Sequence, residues 1–382
     1  MSKTVVILGA GWAGLPLAHK LLKYTVPKLS QLKVILVTPN SHFFWNVAAT
    51  RGMIPGEISN EELFLPIAPA FAGYSPENFE LVLGKAEGLD TEGSKVAVCM
   101  TEDGSHRDIA YDELVVASGS SMRGGIPLKH VGAQDQMAAS WKSLQNKVTN
   151  ARSILISGGG PTGVEVAGEL AARYGKDKDI TLVLSGSKPV ASAITSVQDI
   201  VDKDLQKLGV KLIRNARVAN TTTSSDRKQT KVTLSNNQAS SVDLYLPLHG
   251  AVPNTSFLPH SLLDESGNLK LDSYMRASGA KNVWGIGDVG DLEPKQLTVT
   301  DNQIVYLAGA LDAALTGSGK VAEYKPMEKT MIFVSLGRRF ASGQIGGWRL
   351  FGWMVSLVKG RKLFVDTARG YVDGKHLRHA AM

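Results

Sequence analysis

The sequence predicts an α/β chain in which one kind of unit occurs twice, and two observations carry that expectation. An apolar strand, a glycine-rich turn, a helical run and a second strand follow one another at the N-terminus, and the same succession begins again at Ser153. In the first copy Thr4 to Leu8 reads as a strand, Gly9-Ala10-Gly11-Trp12-Ala13-Gly14 as the turn, Leu15 to Lys23 as a helix and Lys33 to Val37 as the next strand. In the second, Ser153 to Ser157 leads into Gly158-Gly159-Gly160-Pro161-Thr162-Gly163, a helix running through Arg173 and the strand Ile180 to Leu184. Two such units imply two Rossmann-like dinucleotide-binding domains, and the residues beyond them leave room for a small C-terminal α+β region.

Each glycine in the G-x-G-x-x-G spacing has its own task. The first permits the tight turn, the second lets backbone approach a pyrophosphate, and the third lets helix pack on strand, so that phosphate meets a helix N-terminus. Gly9, Gly11 and Gly14 fill these places in one unit, and Gly158, Gly160 and Gly163 in the other. The second strand of the first unit ends at Val37-Thr38, where a ribose-binding carboxylate often stands, which leaves Thr38, Asn40 or backbone groups to hold the ribose. The second unit continues Leu184-Ser185-Gly186-Ser187-Lys188, again without the acid that grips the 2'-hydroxyl of NADH and repels a 2'-phosphate. Ser185, Ser187 and Lys188 suit that phosphate, so NADPH is expected as a donor alongside NADH.

Shorter β-rich stretches lie between and after the units: Lys95 to Met100, Leu114 to Ala117, Lys231 to Leu234 and Leu244 to Leu248. The polar run Asn220 to Thr230 reads as an exposed hairpin loop. No solenoid-length repeat and no low-complexity tract occurs.

With 382 residues, 43% hydrophobic and 20% charged, the chain is long enough for two or three cores and has an ordinary globular composition. Met1-Ser2-Lys3 runs straight into the first strand, so neither a secretory leader nor an N-myristoylation acceptor is expected. Cys99 is the only cysteine, which excludes an intramolecular disulfide, a cysteine metal cluster and a C-x-x-C redox pair. The eight histidines, His19, His42 and His130 among them, show no metal-ligand spacing, and no metal is expected. The net charge of +7 is concentrated at the end: from Lys320 onward 12 Lys and Arg face 4 Asp and Glu. Such a region suits an anionic lipid surface or phosphates, or is a solvated face. Nucleic-acid binding is disfavoured, because no DNA or RNA module is recognisable there.

Two more strings convert the pair of nucleotide sites into a flavoenzyme reading: Val115-Val116-Ala117-Ser118-Gly119-Ser120-Ser121, and Asn282 to Asp291, with Asp288 after a strand and a Gly-x-Gly turn. They resemble the A-T-G and G-D motifs of flavoprotein pyridine-nucleotide oxidoreductases, whose aspartate binds the ribitol of FAD. Leu248 to Leu258 looks like the second crossover between the two nucleotide domains of those enzymes. The chain most resembles the AMID-like branch of apoptosis-inducing-factor homologues, which includes the ferroptosis suppressor proteins and is similar to type II NADH dehydrogenases. The likeness rests on Phe43 to Arg51, Gly158 to Glu169, Val305 to Gly309, Ser335 to Trp348 and Leu357 to Asp366.

This resemblance implies a glutathione-reductase-like fold, with an FAD domain split over 1–124 and 249–319, an NAD(P)H domain over 125–248, and a C-terminal acceptor-facing and membrane-facing region over 320–382. It implies non-covalent FAD held by the Gly9 to Gly14 loop, Arg51, backbone near Ala86 and Asp288, to which the strand end at Thr38 and the turn at Gly119 add two candidates. It implies further that Glu165 lies near nicotinamide and flavin and that Lys359 borders the acceptor. On physical grounds alone, Glu165 would serve equally to cap helix donors and Lys359 as a solvated surface charge.

Trp348 to Val358, read as one aromatic helix with basic edges, is too short to span a bilayer; it suits a membrane interface, or packing on the body or on a second copy. The functional expectation is an FAD-dependent NAD(P)H oxidoreductase with a quinone-like acceptor, as monomer or homodimer. A cytoplasmic protein is expected, with peripheral contact to a mitochondrial outer face or lipid droplet as one option. A flavin oxidase acting on a specialised metabolite, and a slow-turnover redox-sensing or death-signalling protein, remain as alternatives.

Overall fold

A computed structural model of the chain describes residues 2–225, 229–329 and 331–376. Both repeated units form. In the first, strand β1 (Lys3–Leu8) passes through the glycine turn into helix α1 (Gly14–Lys20), which returns to strand β2 (Leu32–Thr38). The helical run continues as a π-turn over Leu21–Thr25. In the second, β3 (Ser153–Ser157) leads into α2 (Pro161–Tyr174) and β4 (Asp179–Val183). Both strands at each crossover are parallel, and Val5, Val6, Ile7, Ile154, Leu155 and Ile156 are all buried, as continuous apolar runs in a two-sided sheet require.

The first sheet has seven strands in the order Val283–Gly285, Glu113–Val116, β1, β2, Phe79–Asp90, Lys95–Met100 and His106–Ala110. Its first five strands are mutually parallel, and an antiparallel meander of the last two extends one edge. Val283–Gly285 lies beyond the second unit in sequence yet completes this sheet beside Glu113–Val116. The second sheet has four parallel strands, ordered Lys211–Ile213, β4, β3 and Leu244–Pro247.

Two expected segments differ. Val218–Thr223 is a strand paired with Thr230–Leu234, so the loop between them is shorter than the polar composition suggested; the β-branched threonines at 221, 222 and 223 favour extension despite their polarity. Residues 226–228 lie outside the described residues. Trp348 to Val358 is not one helix: Trp348–Leu350 forms the third strand of a sheet with Met331–Leu336 and Phe340–Ile345, and only Gly352–Val355 is α-helical, followed by a π-turn over Ser356–Gly360. The left-handed Gly346 turns the chain back so that Gln344 pairs with Arg349, which binds the start of the aromatic segment into the hairpin.

Met331–Leu336 packs across α2. A Cβ on Gly168 would stand 2.7 Å from the Leu336 Cα, so the helix needs glycine there for the strand to approach. The final helix, Val365–Val372, sends Tyr371 back to the first glycine turn, where its hydroxyl donates to the Trp12 carbonyl at 2.8 Å. Trp12, Phe43, Trp45 and Tyr371 form an aromatic cluster beneath that turn.

Candidate functional site

A cavity of about 690 Å³ opens at the C-terminal end of the first sheet, where ligands of doubly wound sheets bind. The turn after β1 supplies Gly9, Ala10, Gly11, Trp12 and Ala13 to its wall; Thr38, Asn40, Ala86, Gly119 and Asp288 line it as well. Gly14 stands behind the wall, where an added Cβ would fall 1.9 Å from the Gly9 carbonyl oxygen. A Cβ on Gly11 would meet no protein atom within 4 Å. The protein therefore leaves free the one place in the turn where a pyrophosphate has to approach. Thr38 hydrogen-bonds within its own loop, its hydroxyl donating to the Asn40 carbonyl at 3.2 Å.

At the other side of the cavity Asp288 accepts from the Ser120 hydroxyl at 2.6 Å and is paired with Lys129. Burial alone would raise this carboxyl, but Lys129 and the Ser120 hydrogen bond hold it below the usual carboxylate range. His130 also lines the cavity; burial of its ring pushes its pKa down to about 4, so it is neutral. Its Nε2 accepts from the Phe44 N–H at 3.1 Å, which puts the proton on Nδ1, a buried donor that has no protein partner among the described residues. Neither Lys129 nor His130 was assigned to this site from the sequence, because no local pattern marks a loop residue that folding carries to the cavity.

The second turn copies the first. Gly158 donates to the Val183 carbonyl at 3.2 Å, as Gly9 does to the Val37 carbonyl at 2.8 Å. A Cβ on Gly163 would fall 1.9 Å from the Gly158 oxygen, whereas one on Gly160 would meet no protein atom within 4 Å. Ser185 is exposed; Lys188 is paired with Asp199, and Arg214, unremarked in the sequence, donates to the Ser187 carbonyl at 2.7 Å and forks onto Asp202. Both cations beside the serine loop thus already have acidic partners.

Glu165 and Lys359, far apart in sequence, form an ion pair at 2.6 Å with little solvent exposure on either side chain. Glu165 also accepts from the Ser335 N–H at 3.1 Å, and Lys359 donates to the Phe333 carbonyl at 2.9 Å. The pair fastens the start of α2 to the C-terminal sheet and to the π-turn. Arg51, which the resemblance assigns to the flavin, lies with Glu165 and Lys359 outside the lining of the large cavity. It is fully buried against Glu169, with Nε and Nη2 each 2.8 Å from a carboxylate oxygen, because a carboxylate one helical turn beyond Glu165 matches its fork.

Folding also gathers Glu87, Cys99 and His106 on the exposed meander, with ligand atoms within 4.8 Å of one another. Lys85 stands directly across from Cys99 in the pairing of the two strands.

The profile of the pyridine nucleotide-disulphide oxidoreductase family matches residues 3–303. The chain belongs to that family. Its cofactor is accordingly FAD and its electron donor NAD(P)H, and the open side of the Gly9 turn, Asp288 and the unsatisfied donor of His130 fit such a ligand. The chain is 38% identical to the oxidoreductase ptaL of Pestalotiopsis fici over 98% of its own length and 100% of that protein. It is 28% identical to human ferroptosis suppressor protein 1, over 95% of this chain and 94% of the other. Among solved structures, NDH2 of Plasmodium falciparum in complex with NADH superposes with a TM-score of 0.74 at 14% identity, covering 97% of both chains. The family's name refers to a disulphide that this chain, with Cys99 alone, cannot form.

Proposed function

We propose that the protein oxidises NAD(P)H and reduces a quinone-like acceptor that approaches from the C-terminal region. FAD, when bound, supplies the hydride acceptor and the two-electron store between donor and acceptor. Gly9 to Ala13, Thr38, Ala86, Gly119 and Asp288 would hold it, and Gly158, Gly160, Gly163, Ser185 and Lys188 would hold the donor. The observation that carries the reading is the Glu165–Lys359 pair. It sets a cation, anchored by a carboxylate and a carbonyl, between the second nucleotide unit and an apolar C-terminal segment, in a chain without a dithiol.

In this role Lys359 stabilises charge as it develops on an acceptor oxygen, and Glu165 fixes the ammonium so that no reorganisation is needed at that moment. Trp348, Phe351, Trp353 and Leu357 are exposed by 83%, 63%, 69% and 55% and sit among Arg349, Arg361 and Lys362, which suits an apolar acceptor drawn from an anionic lipid interface. Among the described residues no helix is long and apolar enough to cross a membrane, so contact would be peripheral.

The test is NADPH oxidation by the flavin-loaded protein with and without a short-chain quinone. Stoichiometric quinol formation, slowed about tenfold or more in Lys359→Met while flavin bleaching by NADPH stays near wild type, is the expected result. Hydrogen peroxide as the sole product, whatever quinone is offered, would overturn it.

A further inference from the structure

Between the two glycine turns lies a clamp. The segment Phe43 to Arg51 reaches the C-terminal turn through three carbonyl contacts: Arg51 Nη2 donates to Gly360 at 2.7 Å, Arg51 Nη1 to Arg361 at 3.0 Å, and Trp45 Nε1 to Leu363 at 2.9 Å. These carbonyls directly follow Lys359. The turn they hold leaves regular helical geometry twice, first as a π-turn over Ser356–Gly360 and then through Leu363 and Phe364, whose φ values are +48° and +57°. Side chains other than glycine stay in that left-handed region only when their surroundings compel them.

The other end of the clamp is as firmly built. Arg51 forks onto Glu169, and the backbone of Gly337, in the hairpin that carries Ser335, helps to lower that carboxyl. Glu165 and Glu169 are one helical turn apart on α2, each paired with a cation from a different part of the chain, half-buried Lys359 on the first and buried Arg51 on the second. Burial pushes the Glu169 carboxyl upward and the guanidinium beside it draws it down, so the group depends on its partner. At the Trp45 end the ring lies 4.6 Å from that of Trp12, a wall residue of the large cavity.

We infer that Arg51, with Glu169 and Trp45, is a positioning residue for the acceptor half of the reaction: it fixes the 359–363 turn, and with it the Lys359 ammonium, rather than binding the flavin. An arginine with four of its donor contacts directed at a carboxylate and two carbonyls has little left for a cofactor, and one alternative donor geometry cannot replace it. This rests on the reading of Lys359 as the acceptor-side cation.

Arg51→Lys in the flavin-loaded protein is the test, because lysine keeps the charge and loses the fork. The expected outcome has three parts: an unchanged ratio of flavin to protein absorbance, flavin bleaching by NADPH within about twofold of wild type, and reoxidation by a short-chain quinone slowed about tenfold with a raised quinone KM. Amide hydrogen exchange should quicken in peptides spanning 356–364 and stay unchanged in those of β3 and β4. Trp45→Phe, which keeps the ring and deletes one donor, should move the same readouts by a smaller amount, and it decides the matter should Arg51→Lys not fold. Loss of flavin with unchanged exchange at 356–364 would make Arg51 a flavin contact and overturn the inference. Equal acceleration of exchange throughout the chain would reduce the clamp to a general brace and overturn it too. If wild type reduces no quinone, the functional reading fails alone; the exchange experiment still decides whether the clamp exists.

Discussion

Gly9 and Gly158 occupy corresponding places in the two turns: φ is +112° and +132°, each N–H donates to the end of the neighbouring strand, and each carbonyl is pressed by a later glycine, Gly14 or Gly163. What surrounds them differs. The first turn faces a walled cavity with a half-buried carboxylate, a lysine and an unsatisfied imidazole donor, whereas the second opens toward an exposed serine loop whose cations are already paired. Under the proposed assignment the turn receives a diphosphate, and the walls distinguish the nucleotide that stays from the one that comes and goes. A resident cofactor needs enclosure; a donor that must leave after each turnover needs an accessible site.

The sharpest way to break this contrast is to place the same methyl group in both turns where no protein atom obstructs it. Gly11→Ala should fold and purify colourless, because the methyl group takes the pyrophosphate's place; a yellow protein with a normal absorbance ratio would contradict the assignment. Gly160→Ala should stay yellow while the KM for NAD(P)H rises about 100-fold, read by steady-state kinetics.

Acid should act on the flavin side. His19 and His130 are both pushed down to about 4 by burial, so each is neutral in the fold and protonates more readily once unfolded. Their contribution is complete above about pH 6.5 and is lost as pH falls toward about 4, by about 2 kcal/mol per histidine between pH 6.5 and pH 5. Urea midpoints that do not fall between these two values would refute that account. The smallest effect belongs to donor choice: Ser185→Asp should raise the KM for NADPH about tenfold while leaving that for NADH within about twofold, by repelling a 2'-phosphate. An equal change for both donors would remove Ser185 from donor selection.

Both turns, and most of the strands that frame them, were legible because glycine spacing and apolar runs are local properties of the chain. Glu165 and Lys359 were nameable only through family likeness, since nothing local says that residues 194 positions apart will meet. Lys129 and Arg214 escaped notice, and His130 was seen only as a histidine without metal-ligand spacing, for the same reason: each does its work through a distant partner. The buried Glu169 partner of Arg51 was not foreseen either, because the pairing joins residues 118 positions apart. The aromatic segment from Trp348 misled because its composition suits a helix, while the Gly346-Gly347 turn commits its first residues to a hairpin.

The interleaved chain order also sets a timetable for synthesis. Glu113–Val116 waits for its neighbour Val283–Gly285 until about 170 further residues have been made, roughly 10–30 s at about 5–20 residues per second. During that interval the second unit, β3 through Leu244–Pro247, is already complete, while the first still lacks both an edge strand and Asp288. Under the proposed assignment of Asp288 the flavin site is complete only near the end of translation, and until then the bare edge of Glu113–Val116 is open to mispairing.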